Sequence, residues 1–217
     1  MNTMNLEPLI NFFFIFFPIV GYLPQIITLQ SVFPPLLSTI TIIANLLKIF
    51  YYKVNKYEKP ILYQSFVVIG VHSFLLYFYN KKLSYLEEKI FKHKNLNRIY
   101  QKYGLFTLNM ILITFIALTL NCLCFINGME NLFIGCGFLS LTFESLVGVI
   151  QIVINKVDNK KLPIGIKKQR CGKELFFCWF FGDLSRFVWM IWLKSPVLLV
   201  LSVVFQIGID LALIFDL

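Results

Sequence analysis

Charged side chains make up only 14% of the 217 residues, against about 25% in a typical soluble domain. With 58% of the chain hydrophobic, that shortage excludes an ordinary soluble domain and describes a membrane protein. Histidine is almost missing. His72 and His93 stand far apart, which gives no basis for a zinc site or a Ser/His/Asp hydrolase. Five cysteines, Cys122, Cys124, Cys136, Cys171 and Cys178, lie in or beside apolar runs at no metal-ligand spacing. An odd number in such surroundings reads as packing rather than a disulfide framework. No residue set is arranged for covalent chemistry, so the chain reads as a non-enzyme with neither cofactor nor metal. Residues 1–8 carry no base and no small-residue cleavage site follows, so the Phe-rich start reads as a span and not as a signal peptide.

What the chain does have is long apolar runs. A span needs about 20 residues at a rise of about 1.5 Å each, and seven runs qualify: residues 9–29, 33–52, 60–79, 105–126, 132–154, 175–193 and 196–215. The formal net charge of +9 comes with no nucleic-acid motif, and its bases lie between the spans. Fourteen of the twenty Lys and Arg residues fall in segments 81–104 and 155–174. The positive-inside rule makes that side cytosolic, with the N-terminus lumenal or extracellular and the C-terminus cytosolic. Segment 81–102 carries seven bases with Leu83, Leu86, Ile90 and Tyr100 between them. It serves topology first, and anionic lipid headgroups are the partner it fits second.

Two polar pentapeptides interrupt the apolar runs, Ala44-Asn45-Leu46-Leu47-Lys48 and Gly182-Asp183-Leu184-Ser185-Arg186. About a dozen residues after each, Pro60 and Pro196 open the next run. Each is also preceded by a span carrying a glutamine motif, Tyr22-Leu23-Pro24-Gln25 and Gly148-Val149-Ile150-Gln151. The chain therefore reads as three spans, one joining span and three spans. A single joining span makes the two triplets enter the membrane in the same direction, and repeats of this kind bind substrate between them near the midplane.

In these motifs the chain resembles the PQ-loop repeat family, which contains cystinosin, the SWEET sugar carriers and the lysosomal cationic amino-acid carriers. It looks most like the PQ-loop repeat-containing protein 1 branch of the solute carrier 66 group. That closer likeness rests on Tyr22-Leu23-Pro24-Gln25 and Ala44-Asn45-Leu46-Leu47-Lys48 together with Pro60-Ile61-Leu62-Tyr63-Gln64-Ser65, Glu144-Ser145-Leu146-Val147-Gly148, Trp179 with Gly182-Asp183, and the run from Gln206 to Asp210 with Leu211-Ala212-Leu213. The resemblance implies an all-α membrane protein of seven transmembrane helices, built as two parallel three-helix repeats joined by one helix. The first repeat covers residues 9–80, the basic segment and joining helix 81–126, and the second repeat 131–216. It implies phospholipid movement across the bilayer, linked to endosome-to-Golgi traffic, in an endosomal or Golgi membrane. A proton-coupled carrier of a small polar solute is the alternative reading, and a trafficking receptor or scaffold the third. Membrane lipids, a small polar solute and further copies of the chain are the partners compatible with these readings. One departure stands out, because Ile150 occupies the place of the second family proline. The fifth span should therefore lack the hinge that Pro24 gives the first.

The candidate transport residues are Pro24, Gln25, Asn45, Lys48, Glu144, Gln151, Asp183, Arg186, Gln206 and Asp210. Asp183 stands about ten residues into its span, where an ionised carboxylate facing lipid costs about 2.5–3.5 kcal/mol, so it must face the bundle interior. Arg186, three residues on, shares its helical face. Asn45 cannot titrate and is expected to hydrogen-bond between helices. Glu144 and Gln151, seven apart, share roughly one face, and Gln25 is expected to look into the same cavity. Gln206 and Asp210 share a face of the last span, with Asp210 near its cytosolic end and expected to snorkel or cap there. Asn45, Lys48, Glu144, Asp183 and Arg186 together would make a polar track of alternating charge, suited to a zwitterionic headgroup.

Overall fold

A computed structural model describes residues 7–27, 35–90, 105–123, 130–161 and 173–215. Every secondary-structure element among the described residues is a helix: α1 Glu7–Val20, α2 Leu23–Ile27, α3 Pro35–Asn55, α4 Lys59–Ile90, α5 Leu105–Leu123, α6 Glu130–Lys161, α7 Lys173–Trp192 and α8 Val197–Phe215. Four stretches are long and apolar enough to cross a membrane: Leu36–Asn55, Lys59–Phe78, Asn131–Val153 and Leu175–Trp192. Shorter apolar helices cover Ile111–Leu120 and Leu199–Phe215. Large apolar side chains such as Phe13, Phe115, Phe138, Val188 and Phe205 point outward. In water such a surface would associate; against acyl chains it is the solvated face.

Proline sets the first break in the chain. The ring of Pro24 removes an amide proton and crowds the carbonyl four residues back, which belongs to Val20, where α1 stops. The turn at Gly21 and Tyr22 follows, closed by Tyr22 N donating to Ile19 O at 2.8 Å. Ile150 imposes no such break, and α6 runs uninterrupted through it. Two helices outlast their apolar runs: α4 continues to Ile90 and α6 to Lys161. Leu, Glu and Lys dominate the extension of α4 and sustain a helix regardless of hydropathy. The rest of the basic segment, with His93, and Cys124 and Cys171 lie outside the described residues, as do the side chains of residues 79–90 and of Cys122.

The helices pack in two rows. In one, α4 lies between α1 and α3; in the other, α8 lies between α6 and α7. The rows meet where α3 packs on α6 and α1 on α7, and α5 leans on α4 and α3. Ser140 Oγ fastens the central α3–α6 contact by donating to Ala44 O at 2.7 Å.

Small residues let these helices close on one another. A Cβ on Gly137 would strike the ring of Tyr51 on α3, and one on Gly148 would strike the Ile209 side chain on α8. Tyr51 is buried and stacked on Tyr57, so its ring cannot step aside cheaply. We expect Gly137→Ala to cost about 1–3 kcal/mol through overpacking. Gly135→Ala, which meets nothing within 4 Å, should instead be neutral or stabilising by about 0.5–1 kcal/mol. Thermal unfolding of the two variants in detergent compares them directly.

The hairpins α3–α4 and α7–α8 meet at one end of the bundle, where Ser195 Oγ donates to Glu58 Oε1 at 2.8 Å. Each hairpin begins with a lysine in left-handed backbone, Lys56 at φ 40° and Lys194 at φ 54°. After α7 the conformation closes a Schellman cap, with Ser195 N donating to Met190 O at 3.0 Å. Tyr57 is buried between the two and donates its hydroxyl to Lys48 O at 2.8 Å. Burial raises its phenol pKa above the usual range.

Candidate functional site

Every core helix carries polar residues between two apolar layers. The layer at the hairpin end contains Tyr51, Tyr57, Ile61, Leu141, Met190, Leu199 and Val203. The layer at the other end contains Tyr22, Leu37, Leu75, Val147, Leu175, Phe176, Ile209 and Leu213. Between them, and reaching Tyr22, Val147 and Ile209 of the second layer, lies a cavity of about 130 Å³. It is reached by Thr41 and Asn45 of α3, Gln64 and His72 of α4, Glu144 and Ser145 of α6, Trp179, Asp183 and Arg186 of α7, and Gln206 and Asp210 of α8. Tyr22, at the α1–α2 break, completes the wall. The order of layers along the chain shows that α3 and α7 run one way through the bundle and α4, α6 and α8 the other.

The charged residues close on one another across four helices. Lys48 of α3 forms an ion pair with Glu144 of α6, with side-chain exposures of 4% and 16%. Glu144 accepts a second hydrogen bond from Gln206 Nε2 of α8 at 3.3 Å. Gln206 Oε1 in turn accepts from Arg186 of α7, and the same Arg186 nitrogen donates to Asp183 Oδ1 at 2.9 Å. The sequence Lys48–Glu144–Gln206–Arg186–Asp183 thus links α3, α6, α8 and α7 without a gap. Each of these four charges meets an opposite charge or an amide, which is how buried ions avoid their full desolvation cost.

Several sequence expectations change here. Asn45 is buried, but its amide donates to Thr41 O one turn back on the same helix at 2.9 Å, a bond within α3 and not between helices. Asp210 neither snorkels nor caps. It is 5% exposed and lines the cavity, because α8 is packed between α6 and α7 and turns that face inward. Gln151 is buried yet does not line the cavity. Pro24 and Gln25 lie on α2, and their side chains fall outside the described residues. The Asp183–Arg186 pair made available by the i, i+3 spacing is formed.

His72 and Thr41 were not among the candidates. His72 is fully buried on α4, with Nδ1 3.3 Å from Ser38 Oγ and its ring edge-on to Tyr22 at 4.9 Å. Its signal was a lone imidazole in an apolar run, a pattern that fits packing as well as a site. Trp179, whose ring centroid is 6.1 Å from that of Tyr22, extends the aromatic side of the cavity. Among the described residues no group of His, Cys, Asp and Glu is placed to hold a metal ion. No family model, no curated protein and no solved structure matches the chain.

Proposed function

We propose that the chain is a membrane carrier for a small polar solute, which occupies the central cavity. The observation that carries this reading is the layering. A cavity lined by both signs of charge has an apolar layer on either side along each core helix. A carrier that opens to one side at a time needs a polar site between two apolar barriers. Phospholipid movement, the first reading of the sequence, asks for polar groups strung along a path that a headgroup can follow with its tails in the bilayer. Glu144, Asp183 and Arg186 instead gather at one cavity, with Lys48 pairing to Glu144 from outside its lining, which favours the solute.

The same proposal includes seven spans in a 3+1+3 arrangement of the PQ-loop type. Three observations support it. The packing orders α1–α4–α3 and α6–α8–α7 are the same, α3 runs parallel to α7 and α4 to α8, and both hairpins begin with a left-handed lysine. The hairpins touching through Glu58 and Ser195 share one end of the bundle, opposite the lysine-rich ends of α4 and α6. That agrees with a cytosolic location for segments 81–104 and 155–174. An endosomal or Golgi membrane, the location that the PQ-loop resemblance implies, belongs to the same proposal.

Proteoliposomes test it. Vesicles holding the purified chain, a panel of radiolabelled amino acids and sugars, and a fluorescent phospholipid report both readings in one preparation. We expect at least one solute to leave about tenfold faster than from protein-free vesicles, with the fluorescent lipid crossing at the protein-free rate. Lipid crossing without release of any solute would reverse the assignment.

A further inference from the structure

The charges around the cavity do not balance. Glu144, Asp183 and Asp210 line it with one base, Arg186, while the second base, Lys48, pairs with Glu144 from outside the lining. Lys48 is taken by Glu144, and Arg186 by Asp183 and Gln206. Asp210 is left over: its Oδ2 is buried and accepts no hydrogen bond among the described residues, although the residue lines the cavity. The charges that act on it are those of Asp183 and Arg186 on α7, one repelling and one attracting; Arg186 gives one nitrogen to Asp183 and Gln206, and its buried Nε has no hydrogen-bond partner among the described residues. From α6 the nearest charged group in the cavity is Glu144, another acid, and from α4 the facing groups are Gln64 and His72.

From this geometry we infer that the cavity takes a small monocation bearing N–H groups, a primary ammonium, bound at Asp210. The inference rests on the solute-carrier reading and names the chemistry of its substrate. A carboxylate oxygen with open acceptor capacity is the partner that an ammonium donor requires, and a charge-assisted bond there is stronger than one between neutral groups. The Tyr22 and Trp179 rings on the cavity wall add faces that attract cations. The cavity volume of about 130 Å³ has room for a small organic cation and not for a large one.

Methylammonium is the probe. With the full chain in detergent at constant pH and ionic strength, methylammonium chloride should raise the melting temperature by about 3 °C or more relative to sodium chloride. Tetraethylammonium, which lacks N–H donors, should not. Asp210→Asn should lose the shift, and Asp210→Glu should keep part of it. A second measurement needs no variant. Cys178 lines the same cavity, so methylammonium should slow its reaction with a methanethiosulfonate reagent, read by mass, while acetamide at equal concentration should not. An equal shift in Asp210→Asn, an equal effect of sodium, or stabilisation obtained only by acidifying without methylammonium would overturn the inference. Protection of Cys178 by acetamide as strong as that by methylammonium would do the same. Failure of these tests alongside continued release of an uncharged solute from proteoliposomes would remove the cation and leave the carrier standing.

Discussion

Lys48→Met on its own should destabilise the folded chain by about 3–5 kcal/mol, and adding Glu144→Leu should restore most of that loss. The reason is an asymmetry between breaking a buried ion pair and replacing it. Lys48 is nearly sealed, and its ammonium faces Glu144 across the α3–α6 contact. Without the lysine, Glu144 keeps only the Gln206 amide at 3.3 Å, too little to offset an anion held away from water. Removing both charges leaves an apolar contact on a surface already closed by Gly137, Tyr51 and Ser140. The Tyr57 bond to the Lys48 carbonyl does not depend on that side chain and should survive both changes. Melting of the two single variants and the double variant in detergent closes the cycle. A single variant that melts with the parent protein would mean that the pair is solvated, contrary to its burial.

The partner of Lys48 shows what could be read from sequence and what could not. A base inside an apolar run signals an interior position whatever the fold, because hydrocarbon penalises it; its carboxylate lies 96 residues away, where no helical spacing reaches. Asp183 and Arg186 were legible as a pair because three residues along a helix bring side chains together. Asp210 was misplaced by counting its depth from the end of an apolar run. Burial follows instead from α8 being flanked by α6 and α7, which only the packing reveals. The same limit applies to helix length: an apolar run measures the hydrocarbon thickness, whereas α4 and α6 continue for as long as their residues favour helix. The break after Val20 was more accessible, since the consequence of Pro24 is local.

Arg186→Leu should have the other large effect, on both stability and transport. One guanidinium nitrogen serves Asp183 on its own helix and Gln206 on α8, and Gln206 passes the connection to Glu144 on α6. Without Arg186, three carboxylates remain around the cavity and the remaining base, Lys48, pairs with Glu144 from outside the lining; the expected cost is about 3–5 kcal/mol. Arg186→Lys should recover only part of it, since an ammonium is a point charge and lacks the planar fork of donors. Adding Asp183→Asn to Arg186→Leu separates architecture from function. It removes the stranded anion, so the double variant should melt near the parent temperature. Its proteoliposomes should nevertheless release solute no faster than protein-free vesicles, because the cavity has lost both charges that α7 supplies. Release at the parental rate from that double variant would make Asp183 and Arg186 a lock between helices, and would move the search for the solute site to Glu144 and Asp210.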